Sequence, residues 1–365
     1  MNQQVSREYY LPMKKSVYYS QNFLKSAGLV EEIVGRFSLS SEDIVYEIGP
    51  GKGIITGELA KRCKKVIAVE ADRELCLKLK RRFSVGHKFA PGLFSPVRHP
   101  EFNSGSTCNK KMLNRVQHDG KQHETMCEAR VEPKIEILSG DFLSYKLPDH
   151  DYKIFSNIPF NITADILRKI TETKTPPVDA FLIVQKEAAV KYAGAPYGKE
   201  SLSSILVKPW FELTIVHTFF KKDFLPVPRV DIVLLRLKLR ERPLVDIKNK
   251  PLFNDFFAYV FQQRESTVKE GLRDIFTNIQ FSVLRKRLGF SPRATLTELS
   301  FPVWLEVFNY FLAGVNTDKK GLVVGSFQKL QNRQTKLRKI HRTRTDKNWK
   351  RKFIPTYSRK FLREG

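Results

Sequence analysis

Ile44-Val45-Tyr46-Glu47-Ile48-Gly49-Pro50-Gly51-Lys52-Gly53 is the stretch that decides the fold. Its first five residues form an apolar run, rich in β-branched side chains, that reads as a buried strand. Three glycines at alternate positions follow, and they let the backbone turn sharply and approach a ligand closely. A helical pattern comes next, so a helix N-terminus faces the same place. The last glycine interval is too short for the Gly-x-Gly-x-x-Gly dinucleotide fingerprint. The absence of Gly-Lys-Ser/Thr excludes a phosphate-binding P-loop.

Outward from this turn, short apolar runs alternate with helical patterns from about residue 20 to 245. Candidate strands are Ile44–Ile48, Val66–Glu70, Ile135–Leu138, Lys153–Ser156, Ala180–Gln185, Leu213–Phe219 and Val230–Leu237. Such alternation predicts an α/β fold, a doubly wound sheet with buried parallel strands. The last two strands follow each other without a long helix, which predicts an antiparallel edge hairpin turning around Lys221 to Arg229.

The successive strand ends carry chemistry. The second ends at Glu70, about 20 residues past the glycines, where a carboxylate can accept both hydroxyls of a ribose. The third runs into Gly140-Asp141-Phe142, an acid able to accept from an adenine amino group, with an aromatic ring beside it. The fourth delivers Asn157-Ile158-Pro159-Phe160. An amide, a residue held extended before a proline and an aromatic ring are what is needed to hold a planar amino group beside a methyl donor. Open α/β sheets bind ligands at this carboxyl edge, so four matches in order weigh more than any one.

Composition agrees. The 365 residues carry a formal net charge of +26, which points to a polyanion as partner, nucleic acid before an anionic membrane face. At 41% hydrophobic with 27 Phe, the chain has material for a large core and a smaller second domain. Four cysteines are too few for a disulfide scaffold. No signal-peptide pattern and no apolar run near transmembrane length is present, so the chain is expected to be cytoplasmic, without a membrane partner and monomeric.

Three regions depart from the α/β rhythm. Residues 84–132 scatter Gly, Pro, Asn, His and Ser without a period, which predicts a surface insertion. The stretch resembles translated palindromic repeat elements. Within it Cys108, His118, His123 and Cys127 have zinc-binding atoms, but no closely spaced pair, and no metal is assigned. Residues 246–312 show apolar positions at helical spacing, among them Phe253, Phe256, Phe257, Val260, Val283, Leu284, Trp304, Val307, Phe308 and Phe311. They predict a small all-helical domain. Residues 313–365 hold 16 Lys and Arg against 3 Asp and Glu, half of the chain's excess charge. With so few apolar residues this tail is expected to be disordered in isolation. It is expected to serve as an arm for phosphate backbone, with Trp349, Phe353, Tyr357 and Phe361 available to stack.

With these motifs assembled, the chain resembles the S-adenosylmethionine-dependent rRNA adenine N6-methyltransferases. These include the Erm erythromycin-resistance methyltransferases and the KsgA-type dimethyladenosine transferases. The resemblance rests on Ser20-Gln21-Asn22-Phe23-Leu24, Glu47 to Gly53, Glu70, Gly140-Asp141, Asn157-Ile158-Pro159-Phe160 and Phe224-Leu225-Pro226-Val227-Pro228-Arg229-Val230-Asp231. It covers about residues 18–312 apart from the insertion. It implies a Rossmann-like class I methyltransferase fold with a seven-stranded, mostly parallel sheet in residues 1–245, then a helical RNA-binding domain.

The resemblance also implies roles. Asn22 and Leu24 would sit over the methionine and adenosine parts of S-adenosylmethionine, and Gly49 and Gly51 would line its amino-acid end. Glu70 would hold the ribose hydroxyls, Asp141 the adenine, and Asn157 would lie between donor and acceptor. The implied partner is ribosomal RNA. The Asn-Ile-Pro-Phe form, with Ser20 to Leu24 and the basic extension, favours Erm-type dimethylation of a 23S rRNA adenine and macrolide-type antibiotic resistance. Phe261-Gln262-Gln263-Arg264 favours the 16S dimethyladenosine transferases instead. A non-catalytic nucleic-acid-binding member of the fold is the third reading.

Overall fold

The computed structural model describes residues 22–84, 134–262 and 267–343. Ser20, Gln21, Gln263, Arg264, the zinc-type residues of the insertion and the four aromatics of the tail lie outside the described residues. The chain divides into two compact units, residues 26–146 and residues from 147 onward, the latter together with the segment before residue 26.

The chain enters through a two-residue strand β1 (Phe23–Leu24), which belongs with the second unit. The first unit then runs α1 (Ala27–Gly35), β2 (Ile44–Ile48), α2 (Ile54–Ala60), β3 (Lys65–Glu70), α3 (Arg73–Ser84) and β4 (Lys134–Ser139). Its strands are parallel, in the order β4-β3-β2, with Ile44 opposite Lys65 and Val66 opposite Ile135. Parallel strands covered on both faces need unbroken apolar runs, and Val66 to Glu70 are all buried. Ala68 and Ile137 pack with Cys76 and Leu79 of α3. Ser26 starts α1 by accepting the Leu29 N–H at 3.2 Å.

The second unit continues with β5 (Lys153–Asn157), α4 (Thr163–Glu172), β6 (Asp179–Gln185), α5 (Lys186–Ala193), α6 (Leu202–Val207), β7 (Phe211–Phe219), β8 (Phe224–Leu225) and β9 (Ile232–Leu239). Its strand order is β5-β6-β9-β7; β5 and β6 are parallel, and β9 is antiparallel to both neighbours. Three strands in one unit and four in the other make the seven-stranded, mostly parallel sheet of an α/β fold. The predicted edge hairpin is β7–β9. Its connection carries β8, which pairs antiparallel with β1, Phe23 opposite Leu225. Two-residue strands have no period to read, so composition alone could not show them.

Helices complete this unit: α7 (Lys250–Gln262), α8 (Val268–Leu272), α9 (Asn278–Leu288), α10 (Phe301–Gly314), α11 (Thr317–Val323) and α12 (Ser326–Thr343). The stripes of α7 and α10 meet in an aromatic core. Phe253 and Phe308 lie 4.9 Å apart, Phe256 and Phe311 4.6 Å, and Phe257 and Trp304 5.5 Å. Edge-to-face and offset rings add to their area burial. Val283 departs from the predicted apolar stripe: it is 51% exposed, and Ile279 one turn earlier is 78% exposed.

Within the tail expected to be disordered in isolation, the described residues hold two helices, Thr317–Val323 and Ser326–Thr343, and α10 itself runs to Gly314. Composition understated the order because a few anchors suffice. Asn316 caps α11 by accepting the Lys319 N–H at 3.2 Å, and Val323 is fully buried. The Asp255 carboxylate of α7 accepts the N–H groups of Gly325 and Phe327 at 3.0 and 2.9 Å. These supply the N-terminus of α12 with partners it cannot find in itself.

Candidate active site

Gly49, Gly51 and Gly53 all lie in the left-handed region, with φ of 65°, 57° and 74°. An L side chain pays roughly 1–2 kcal/mol at such a position, so the alternate spacing is a backbone requirement. A Cβ on Gly53 would also meet Leu79 Cδ2 at 2.6 Å, inside the packed core of the first unit. Gly53→Ala is therefore expected to lower stability by about 2–4 kcal/mol, strain and overpacking together, as read by thermal or denaturant unfolding.

The turn is tied to the end of β3. Glu70 is 1% exposed, and its carboxylate accepts the Gly51 N–H at 3.0 Å and the Asp72 N–H at 2.8 Å. Burial raises its pKa, while those backbone donors hold it down. The Ala71 N–H is a third such donor, and of the carboxylate's four or so lone-pair sites one is left to receive a ligand hydroxyl. The Gly49 N–H donates to the Val69 carbonyl at 2.9 Å, and Arg82 Nη1 donates to the Lys52 carbonyl at 2.6 Å. The result is a left-handed glycine turn tied to a buried carboxylate. Asp141, exposed after β4, accepts the Leu143 N–H at 2.9 Å, and Phe142 is buried against Tyr145. Gly49, Gly51, Glu70 and Asp141 all belong to the first unit and follow or close the ends of its three parallel strands.

Glu47, one strand position before the turn, is a further carboxyl. It is 1% exposed and accepts the Thr56 hydroxyl at 2.6 Å. Burial, reinforced by the nearby Glu70 charge, raises its pKa from 4.5 to about 8. Between those values the folded chain holds a proton that the unfolded chain has released. Stability therefore falls as pH rises from about 4.5 to about 8. Glu47→Gln keeps the acceptor for Thr56 and removes the titration, so urea unfolding at pH 5.5 and 8 should give a flatter profile, with the gain at the higher pH.

Asn22, Leu24 and Asn157 to Phe160 belong to the second unit. Asn157 closes β5, and its Nδ2 donates to the Asn22 backbone carbonyl at 2.6 Å. That bond fixes the carboxamide and leaves Oδ1 as its accepting end. Leu24 and Ile158 are buried. Pro159 is extended, with φ −62° and ψ 126°, and its carbonyl accepts the Ile162 N–H at 3.2 Å, closing a single turn before α4. Phe160 stands in the wall of a cleft of about 520 Å³ shared with Asn22, Asn161, Gln185 and Pro226 to Val230.

Sequence reasoning missed Gln185 and gave Arg229 no role. Gln185 ends β6 as Asn157 ends β5, so the same strand-end signal could have found it. The pairing of β1 with β8 explains why Asn22 and Pro226 to Val230, which flank the two strands, share this cleft. Among the described residues no group of three or more His, Cys, Asp or Glu could hold a metal, and no helix is long and apolar enough to cross a membrane.

A family model described as ribosomal RNA adenine dimethylase matches residues 13–90 and 116–312. The chain is 30% identical over 269 residues, 73% of its length and 79% of the relative's, to the ribosomal RNA small subunit methyltransferase A of Bacillus mycoides (strain KBAB4). The Bacillus cereus (strain AH187) protein of that name matches equally. Among solved structures, the 23S rRNA methyltransferase ErmE has a TM-score of 0.62 at 23% identity, covering 80% of this chain and 99% of that one. A dimethyladenosine transferase from Plasmodium falciparum has 0.55 at 18%, covering 80% and 98%. Both likenesses are of fold.

Proposed function

Because this chain belongs to the ribosomal RNA adenine dimethylase family, we propose that it methylates the N6 amino group of an adenine in 23S rRNA, twice over. It is an rRNA adenine methyltransferase, and S-adenosylmethionine is its cofactor. The observation that carries the acceptor half is the Asn157 carboxamide tethered to Asn22, a residue that lines the cleft together with Phe160.

In this reading Gly49 and Gly51 receive the amino-acid end of the donor, Glu70 its ribose, Asp141 its adenine, and Asn22 and Leu24 cover it. When bound, that cofactor supplies a methyl group already activated on a sulfonium. The chain's own task is alignment. An adenine amino group is a poor nucleophile because its lone pair is delocalised into the ring. The Asn157 Oδ1 and the Ile158 carbonyl each accept one N–H, which favours a tetrahedral nitrogen with its lone pair free for attack. As the N–C bond would form, the methyl's C–S bond would break to leave a neutral thioether, and one of those N–H protons would pass to solvent. Phe160 stacks on the base and tolerates the positive charge that develops. The base must leave its stack to reach the cleft, which unpaired rRNA makes cheap. Alignment and fixed dipoles carry the rate.

The choice of 23S rRNA is supported by the Asn157-Ile158-Pro159-Phe160 form, by Asn22-Phe23-Leu24 with the residues before them, and by the basic extension. A net charge of +26 also suits bare phosphate backbone. The alternative, 16S rRNA in the small subunit, is favoured by the names of the 30% identical relatives. Labelled S-adenosylmethionine offered with naked 23S rRNA and, separately, with immature 30S subunits separates them. Label in the 23S rRNA is expected; label in the 30S particles alone sinks the 23S reading.

A further inference from the structure

The family match ends at residue 312, but two helices follow it in the described chain. Helix α12 is built onto the second unit. Besides the Asp255 contacts at its start, the Gln262 side chain donates to the Ser326 carbonyl at 3.3 Å and accepts from Arg333 Nη1 at 3.2 Å. Gln331 donates to the Glu172 carboxylate of α4 at 3.3 Å. Phe327 and Leu330 turn into a groove of about 410 Å³ between α12, α4, α5 and α6, with Arg168 and Lys191 on its walls.

Arg333 makes that contact with Gln262, and Lys329, Arg333 and Lys336 are all exposed and spaced by four and three residues, so they share one face. In sequence, α12 carries six Lys and Arg and no Asp or Glu. Helix α4, its partner at the groove, begins three residues after Phe160. A solvated charged face needs no such anchoring. A cationic stripe held rigid beside the element that leaves the acceptor segment has its ordering entropy settled before RNA arrives.

We propose that α12 is a docked RNA-binding helix, an addition beyond the family's matched region whose basic stripe takes the phosphodiester backbone of the substrate rRNA. This rests on rRNA being the substrate. The stripe sets affinity and position, and the chemistry stays at Asn157.

The test uses the full chain and an in vitro transcript of 23S rRNA, with affinity measured against KCl concentration. The K329Q/R333Q/K336Q variant should bind roughly tenfold more weakly near physiological salt, its log–log salt slope smaller by about 2 for three lost phosphate contacts. At saturating RNA its turnover should match the unaltered protein's. An unchanged slope overturns the proposal. Asp255→Ala unfastens α12 while raising the net charge by one, so simple electrostatics expects tighter binding and a docked helix expects weaker. Equal or tighter binding in a folded variant overturns the docking. Should that variant not fold, the surface triple variant decides alone. Vesicles of phosphatidylglycerol and phosphatidylcholine are the rival probe: loss of vesicle binding with an intact RNA slope would move the stripe to a membrane and overturn it. Failure of methyl transfer to every RNA would strike the proposed reaction and leave the salt slopes readable.

Discussion

Asn157→Ala should cost at least about 10²–10³-fold in turnover while leaving the affinity for S-adenosylmethionine within a factor of a few. The carboxamide ends β5 and is fixed by its own N–H to the Asn22 carbonyl, so its oxygen is aimed before any substrate arrives. Removing it takes away an acceptor whose value is greatest once the amino nitrogen pyramidalises, which lowers turnover more than binding. Gly49, Gly51, Glu70 and Asp141 belong to another unit and keep their geometry. Single-turnover methyl transfer and calorimetric titration of the donor measure the two halves separately. Equal loss in both would make Asn157 a structural residue and refute its acceptor role.

The second large effect is expected at Glu70. Glu70→Ala should weaken donor binding about tenfold to a hundredfold, the ribose hydrogen bond to a charged acceptor being worth about 1.5–3 kcal/mol. The same change leaves the Gly51 and Asp72 N–H groups without their acceptor, so stability should fall as well. Glu70→Gln separates the effects. Its amide oxygen can still accept one N–H, but its NH₂ end opposes the other N–H, which a carboxylate oxygen had accepted. Stability should then recover in part, while donor affinity stays low. A Glu70→Ala variant that binds S-adenosylmethionine as tightly as the unaltered protein would remove Glu70 from the donor site.

Much of this was legible because buried parallel strands announce themselves. The apolar stretches predicted as strands at Ile44–Ile48 and Lys153–Ser156 are strands, and the three alternate glycines proved to be three left-handed residues. What stayed hidden depends on partners distant in the sequence. Asn157 and the Asn22 carbonyl are 135 residues apart, so the tether that fixes the Asn157 amide has no local signature. Strands β1 and β8 are too short to show a period. The order of α12 hangs on Asp255, 70 and 72 residues from its two donors, where a count of charges pointed to disorder. Val283 failed for the opposite reason: its spacing fits a buried stripe, but the aromatic core is filled by α7 and α10.

The most direct measurement is nucleoside analysis of 23S rRNA incubated with the purified protein and methyl-labelled S-adenosylmethionine. The expected result is label in N6-methylated adenosine, advancing to the N6,N6-dimethyl form at long times, and none of it with Asn157→Ala. Label in any other nucleoside, or equal label with the Asn157 variant, would contradict the site and the reaction assigned to it.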